Sequence, residues 1–282
     1  MNYCEIKVGK RNATLYAYIL DENVSYNVKK KWPCVLIMPG GGYLFTSTKE
    51  GESVASKFFG AGYSCFILRY STKVKNRITR ALNEGFTYPD PSIELMEALH
   101  IIRKNADKWH IDVDNIFINA YSAGAHASLT AILRSDEDFL TKKLTFTPAE
   151  NEFRIKGLIL GYPMICAHLM DPIIRSAIFD REDVTEDEFR RLDMTLYLKE
   201  GTCPMFIWQT ANDTVVQPPY LCNFVGKILE LGIPAEFHLF EEGRHGLAMA
   251  DERYAVSKED SNPSVATWFD MAVRWMKHQE SK

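Results

Sequence analysis

The chain has 282 residues, of which 46% are hydrophobic and 12% aromatic, so it can bury a sizeable core. This composition excludes a disordered chain, and the formal net charge of −4 argues against a general nucleic-acid binder, which needs a basic face to displace counterions. No apolar run approaches the roughly 18 residues of a membrane span, which argues against a membrane protein.

Six cysteines are scattered along the chain, and none forms a Cys-x-x-Cys pair. Most lie inside apolar runs, which indicates reduced and mostly buried thiols rather than disulfides or a zinc site. The opening segment MNYCEIKVGK contains no apolar stretch of signal-peptide length. We therefore expect a cytoplasmic protein.

Strand-like and helix-like segments alternate along the chain. Two strand-like segments near the start, 3–8 and 14–19, predict an antiparallel edge hairpin. Asp90 is expected to cap the clearest helix, with Pro91 in its first turn. The later strands are predicted over 34–38, 63–71, 115–120, 155–165, 203–210 and 235–240, and the helices over 51–59, 90–111, 122–135, 219–231 and 264–277.

Such alternation indicates parallel crossovers and therefore an α/β fold with a mostly parallel, doubly wound sheet. We predict a single domain over 1–282, with lid-like insertions at about 136–152 and 166–200. In open sheets of this kind, ligands bind at the carboxyl ends of the strands. Candidate functional residues are therefore sought directly after the predicted strands.

Ser122 lies at such a strand end, in the segment NAYSAGAHAS. A sharp strand-to-helix turn strains the residue at its tip and requires small residues two positions before and after it. Ala120 and Gly124 meet this requirement. The pattern indicates a nucleophilic serine, while a serine that only caps the helix stays open as an alternative.

A serine nucleophile needs a base within hydrogen-bond reach, and the base needs an acid that fixes its tautomer. Asp213 follows the strand 203–210, and His245 lies in a glycine-flanked loop after the strand 235–240. We predict Asp213 as the acid and His245 as the base. Asp171, which follows the strand 155–165, is the alternative acid.

The anion formed by attack on an ester carbonyl requires N–H donors, each worth on the order of 10²–10³ in rate. The N–H of Ala123, directly after the nucleophile, is one expected donor. The loop PGGGY at 39–43 should supply Gly41 and Gly42, because glycine lets the backbone approach a substrate closely. A phosphate-binding loop is the alternative for this segment, which lacks the Gly-Lys-Ser/Thr ending.

The chain resembles the α/β-hydrolase superfamily in five segments, which follow one another in this order: MPGGGY, LRYS, NAYSAGAHAS, TANDTVV and EEGRHGLAM. The most similar branch is that of small esterases resembling acetyl-xylan esterases, which are related to hormone-sensitive-lipase-like carboxylesterases. The resemblance runs from about Trp32 to His245. It departs from the lipase-like pattern at Pro39, where that branch has histidine, and from the usual Gly-x-Ser-x-Gly at Ala120.

The resemblance implies an α/β-hydrolase fold, a Ser122–His245–Asp213 triad, no cofactor, no metal and short acyl esters as substrates, often acetyl groups on sugars. We expect Tyr43 and Tyr121 to contact a small-molecule ester substrate. We expect no nucleic-acid or membrane partner of the protein, and homo-oligomer formation is left open. The short lid segments favour a small soluble substrate over an aggregated lipid. The alternatives are a peptidase, thioesterase or lactone hydrolase on the same scaffold, and a non-catalytic binding protein of this fold.

Overall fold

The computed structural model describes residues 2–11, 13–20, 30–76, 78–166, 175, 178–179 and 183–282. Its strands are β1 (Asn2–Val8), β2 (Ala13–Ile19), β3 (Trp32–Met38), β4 (Ser64–Arg69), β5 (Val74–Asn76), β6 (Ala81–Leu82), β7 (Ile111–Tyr121), β8 (Gly157–Gly161), β9 (Met205–Thr210) and β10 (Ala235–Phe240). Its α-helices include α1 (Glu52–Gly60), α2 (Asp90–Lys104), α3 (Ala106–Trp109), α4 (Ser122–Leu133), α5 (Asp138–Thr141), α6 (Glu186–Arg190), α7 (Pro218–Glu230), α8 (Pro263–Ala266) and α9 (Trp268–Glu280). Short 3₁₀ helices cover Met194–Tyr197, Glu252–Tyr254 and Lys258–Asp260.

An eight-stranded sheet organises the described residues, in the order β1-β2-β4-β3-β7-β8-β9-β10. β1 and β2 form an antiparallel hairpin at one edge, and β2 also runs antiparallel to β4. From β4 to β10 the neighbouring strands pair in parallel. The predicted mostly parallel sheet with an N-terminal edge hairpin is therefore confirmed.

The sheet is covered on both faces, as the central strand β3 illustrates. Cys34, Leu36 and Met38 pack into a core that includes residues of α2 and α4. Val35 and Ile37 pack into a second core that includes residues of α1 and α9. Successive side chains of a strand point to opposite faces, so an unbroken apolar run produces a strand that is buried on both sides.

The carboxyl ends of the parallel strands meet at one edge of the sheet. In the pairing register, Met38 lies beside Ala120 and Tyr121 lies beside Gly161. Gly161 in turn lies beside Trp208 of β9. The segments that follow these strands therefore leave the sheet at a common edge, where the topology rule places ligand sites.

The helix predicted over 90–111 is shorter in the structure. α2 ends at Lys104, the single turn α3 follows, and β7 already begins at Ile111 instead of at 115. His110 between them has a positive φ of 51°, a conformation that commonly ends helices. The apolar spacing continues through this break, which is why periodicity alone placed it inside one helix.

Two further expectations about helix ends are corrected by the structure. Asp90 is the first residue of α2 instead of its cap; Pro89 precedes the helix, and the Asp90 carboxylate forms an ion pair with Arg11 at 2.7 Å. The helix predicted over 264–277 is divided at Thr267 into α8 and α9. Both differences concern element ends, which local chain geometry decides.

The six cysteines form no disulfide. Cys34, Cys65 and Cys166 are buried, as expected for thiols inside apolar runs, and Cys4 and Cys203 are partly buried. Cys222 is exposed. Within the described ranges, no helix combines the length and the apolar character needed to cross a bilayer.

Glu94 of α2 makes stability depend on pH. It is 3% exposed and accepts hydrogen bonds from the backbone N–H of Ser71 at 2.7 Å and from the Ser71 hydroxyl at 2.5 Å. Burial raises the pKa of Glu94 from 4.5 to about 7. The folded protein therefore binds this proton more tightly than the unfolded chain, and the resulting stabilisation is complete below pH 4.5 and is lost as the pH rises through 7.

We expect Glu94→Gln to remove this pH dependence. Between pH 4.5 and 8, the free energy of unfolding of the parent should fall relative to that of the variant by about 3 kcal/mol, at ~1.4 kcal/mol per pKa unit. Urea denaturation of both proteins at the two pH values measures the difference. Parallel pH dependence in parent and variant would contradict the assignment.

Candidate active site

Ser122 occupies a tight turn between β7 and α4. It is 7% exposed and has a positive φ of 47°, which is strained for a residue other than glycine. A Cβ on Gly124 would lie 2.4 Å from the backbone oxygens of both Met38 and Pro39, so α4 can approach the end of β3 only because this position is glycine. The small residues around Ser122 therefore serve the turn, as the sequence indicated.

A row of hydrogen bonds joins Ser122, His245 and Asp213. The Ser122 Oγ lies 2.9 Å from His245 Nε2, and His245 Nδ1 lies 2.7 Å from Asp213 Oδ2. A carboxylate only accepts hydrogen bonds, so His245 carries its proton on Nδ1 and its Nε2 accepts from the serine hydroxyl. The other Asp213 oxygen accepts from the N–H groups of Val215 and Val216 at 2.8 and 3.0 Å, which fixes the carboxylate in its turn.

The loops that carry His245 and Asp213 are also tied to each other. The N–H of Gly243 donates to the Asn212 side chain at 2.8 Å, and the Thr210 hydroxyl donates to the Gly243 carbonyl at 2.7 Å. Thr210 is the last residue of β9 and Asn212 lies two residues after it, while Gly243 lies two residues before His245. The spacing between acid and base is thus held by contacts outside the row itself.

The glycine loop after β3 lies against the nucleophile. A Cβ on Gly40 would lie 2.9 Å from the Cβ of Ser122. Gly41 and Gly42 have positive φ angles of 128° and 62°, and no hydrogen bond among the described residues uses their N–H groups. Ala123 lies in the first turn of α4, where backbone N–H groups have no helical partner. These three N–H groups can receive an anion, and their role as donors stays a prediction.

Tyr43 points into the interior. Tyr43 is 1% exposed, and its hydroxyl forms a hydrogen bond with His126 Nδ1 at 2.7 Å. His126 Nε2 lies 2.9 Å from the Leu192 carbonyl, which can only accept, so the Nε2 atom carries the proton and Nδ1 accepts from Tyr43. Burial lowers the pKa of His126 to about 4, which keeps the ring neutral near pH 7.

Tyr121 is fully buried and packs against Tyr162 and Trp268, with ring centroids 5.5 and 6.2 Å away. Neither Tyr121 nor Tyr43 presents an exposed side chain to a ligand in this conformation. Substrate contact by either residue stays a prediction.

The sequence did not identify Glu50 and Tyr162 as parts of this region. The Tyr162 ring packs edge-on against the His245 ring at 4.9 Å, and its hydroxyl donates to Glu50 at 2.6 Å. Burial and the nearby Glu50 charge raise the pKa of Tyr162 well above its usual value. Glu50 lies in the charged segment STKEGE, a pattern typical of a solvated turn, so no local signal pointed to its burial.

The alternative acid Asp171 lies outside the described residues, as do 167–174, 176–177 and 180–182 of the predicted insertion 166–200. In the described part of that insertion, α6 and the 3₁₀ helix Met194–Tyr197 follow each other closely. In the described part of the chain, no group of three or more His, Cys, Asp or Glu side chains is placed to hold a metal ion.

A cleft of about 950 Å³ lies at the opposite edge of the sheet. Lys156, Pro204 and Pro234, which line it, each precede a parallel strand. Ser122 and His245 do not line this cleft. This cleft is therefore separate from the hydrogen-bonded row of Ser122, His245 and Asp213.

Comparison with known proteins finds a matching family model and a similar protein sequence. The family model described as BD-FAE matches residues 20–220. The chain is also 29% identical over 240 residues to endo-1,4-beta-xylanase B of Butyrivibrio fibrisolvens, a match that covers 85% of this chain and 35% of that protein. The chain thus spans about a third of the length of this relative.

Two solved structures are similar over nearly their whole length. The carboxylesterase Cest-2923 from Lactobacillus plantarum WCFS1 is 25% identical with a TM-score of 0.83, covering 99% of this chain and 97% of that one. The sugar hydrolase YeeB from Lactococcus lactis is 25% identical with a TM-score of 0.79, covering 99% of both chains. The predicted α/β-hydrolase fold and the resemblance to its carboxylesterases are confirmed.

Proposed function

Because the chain belongs to the BD-FAE family, we propose that it is a serine hydrolase that cleaves short-chain carboxylic esters, with acetyl esters of sugars as the substrate class. The fold is that of the carboxylesterase-type α/β hydrolases. The observation that carries the proposal is the row from Ser122 through His245 to Asp213, with spacings of 2.9 and 2.7 Å.

In the proposed reaction, Ser122 Oγ attacks the ester carbonyl carbon while His245 Nε2 takes the hydroxyl proton. Asp213 orients the imidazole and stabilises its cationic form. The N–H groups of Gly41, Gly42 and Ala123 bind the anionic oxygen. His245 then gives its proton to the departing alcohol oxygen as the C–O bond breaks, which leaves an acyl group on Ser122.

The second half of the proposed reaction repeats these roles with water. His245 takes a proton from the water, whose oxygen attacks the acyl carbon. The proton passes to Ser122 Oγ as the acyl-enzyme bond breaks, and the carboxylic acid leaves. No cofactor takes part in this scheme, and the residues that the scheme uses all lie at one edge of the sheet.

A carbohydrate substrate is supported by the names of two similar proteins, an endo-1,4-beta-xylanase and a sugar hydrolase. The acetyl group comes from the resemblance to acetyl-xylan esterases. Release of acetate from acetylated xylan, compared with hydrolysis of acyl-CoA and aminoacyl amides, tests this assignment. We expect acetate release to dominate. Preferential hydrolysis of the amide or the thioester would instead identify a peptidase or a thioesterase.

The proposed small substrate predicts a preference for short acyl chains. The described elements of the lid-like segments are short: α5 has four residues and α6 has five. We expect kcat/KM for nitrophenyl esters to be highest for acetate or propionate and to fall about tenfold or more by octanoate, at ~1.4 kcal/mol per tenfold change. The comparison across acyl lengths measures this, and a maximum at long chains would contradict it.

A further inference from the structure

Glu50 is a buried carboxylate that the proposed reaction does not use. It is 3% exposed; one oxygen accepts from the N–H of Gly40 at 2.6 Å, and the other accepts from the hydroxyl of Tyr162 at 2.6 Å. The described residues place no cationic side chain in an ion pair with it. Both oxygens of the side chain are therefore held by donors. A buried carboxyl group without a cationic partner is more typical of functional sites than of ordinary cores.

The first partner of Glu50 belongs to the loop beside the nucleophile. Its bond occupies the N–H of Gly40, whose backbone lies against Ser122. This bond fixes the orientation of the peptide between Pro39 and Gly40, directly before Gly41 and Gly42. The N–H groups of those two glycines have no partner among the described residues. Their positions therefore depend on how the loop is held at Gly40.

The second partner belongs to the segment beside the base. The Tyr162 hydroxyl oxygen accepts from the N–H of Ala248 at 3.0 Å while its proton goes to Glu50. Tyr162 also has a positive φ of 35°, so its backbone is held in a strained conformation. Through this one side chain, Glu50 is connected to the loop that carries His245 and to the ring that packs against the imidazole.

Lys49, the residue before Glu50, also links this segment to the loop that carries His245. Lys49 pairs with Asp260 at 2.6 Å, and Asp260 also pairs with Arg244, the residue before His245. Asp260 is 2% exposed, so this contact is largely shielded from water. The adjacent residues Lys49 and Glu50 therefore each link the segment after the glycine loop to the loop of the base.

We propose that Glu50 is a positioning residue of this site: its carboxylate holds the glycine loop and the His245 loop at one fixed spacing around Ser122. The inference rests on the proposed function, since it concerns the hydrolytic use of Ser122. Small misplacements of reacting groups lower rates strongly, so a residue that sets both the anion donors and the base acts on kcat more than on substrate binding.

Glu50→Gln tests the proposal, because glutamine keeps the size but turns one end of the side chain into a donor. The glutamine oxygen can still accept from the N–H of Gly40, so its NH₂ then faces the Tyr162 hydroxyl, and the bond that this hydroxyl donates to Glu50 is lost. We expect kcat for nitrophenyl acetate to fall about 10- to 100-fold with KM changed by less than about twofold. The rate is expressed per active site titrated with a fluorophosphonate, so that unfolded protein does not contribute.

Glu52→Gln is the matched control, because Glu52 lies two residues away with a half-exposed side chain paired with Arg69. It should keep kcat within about twofold of the parent. Tyr162→Phe removes only the hydroxyl and should lower kcat about tenfold. If Glu50→Gln fails to fold, Tyr162→Phe tests the role of Glu50 in its place. An unchanged kcat in Tyr162→Phe would then overturn that role.

The outcomes separate the two proposals. A parent that neither releases acetate nor reacts with the fluorophosphonate overturns the proposed function and, with it, the role of Glu50. An active parent whose Glu50→Gln variant keeps its kcat per site overturns only the role of Glu50. A variant that raises KM at unchanged kcat also overturns it, because the residue would then act on substrate binding.

Discussion

Replacing Ser122 with alanine is expected to lower kcat for acetyl ester hydrolysis by about 10⁴-fold or more. The hydroxyl is the atom that forms the acyl-enzyme bond in the proposed reaction, and its 2.9 Å contact with His245 Nε2 supplies the route for its proton. Without it, His245 can only activate water at low efficiency. Steady-state hydrolysis of nitrophenyl acetate by the purified variant measures the loss.

Ser128→Ala is the matched control for this substitution. Ser128 is a second buried serine of α4, and its hydroxyl donates to the Gly124 carbonyl at 2.8 Å within the helix. We expect it to keep kcat within a few-fold, since it has no contact with His245 among the described residues. Ser122→Ala with full activity would overturn the proposed mechanism, and equal losses in both variants would point to damage of the helix.

Asp213→Asn is expected to lower kcat by about 10³- to 10⁴-fold while the fold is retained. Two backbone donors, the N–H groups of Val215 and Val216, hold one side-chain oxygen of Asp213. An asparagine oxygen should occupy that position, which turns the amide NH₂ toward His245 Nδ1. The imidazole must then accept at Nδ1 and carry its proton on Nε2, where it can no longer take the proton of Ser122.

Asp171→Asn provides the comparison for the acid, because the sequence left Asp171 open as the alternative. We expect that variant to hydrolyse nitrophenyl acetate at nearly the parental rate. A large loss in Asp171→Asn together with a small loss in Asp213→Asn would reassign the acid. Circular dichroism of both variants distinguishes loss of chemistry from loss of structure.

The strands of the sheet were predictable because burial on both faces leaves a local mark. The run from Cys34 to Met38 is apolar at every position, is only five residues long and is followed by proline and glycines, which is typical of a fully covered strand. The edge strand β10 was predicted over 235–240 and occupies that range. Such signals lie within a few neighbouring residues, which is why a single sequence carries them.

The end of α2 was not predictable in the same way. Ile102 and Trp109 are both buried, so the apolar spacing continues across the break between α2 and α3. The break itself is a backbone event at His110, where φ becomes positive. Periodicity reports which side chains are buried and not how the backbone connects them, so one long helix was expected.

The row of Ser122, Asp213 and His245 could be anticipated because each residue follows a parallel strand. The topology rule brings those strand ends to one edge of the sheet, and the structure places the three side chains within hydrogen-bond distance there. Glu50 could not be anticipated, since it does not directly follow a strand and its partners Gly40 and Tyr162 belong to separate segments. Its burial depends on tertiary contacts, which a charged turn does not reveal.

Peptide mapping by mass spectrometry after reaction with a fluorophosphonate tests most directly whether the hydroxyl of Ser122 is the reactive group. We predict one adduct per chain, located on the peptide that contains Ser122 and absent from the Ser122→Ala variant. A protein that hydrolyses acetyl esters fully while Ser122 stays unmodified, or whose adduct lies on another residue, would contradict the account.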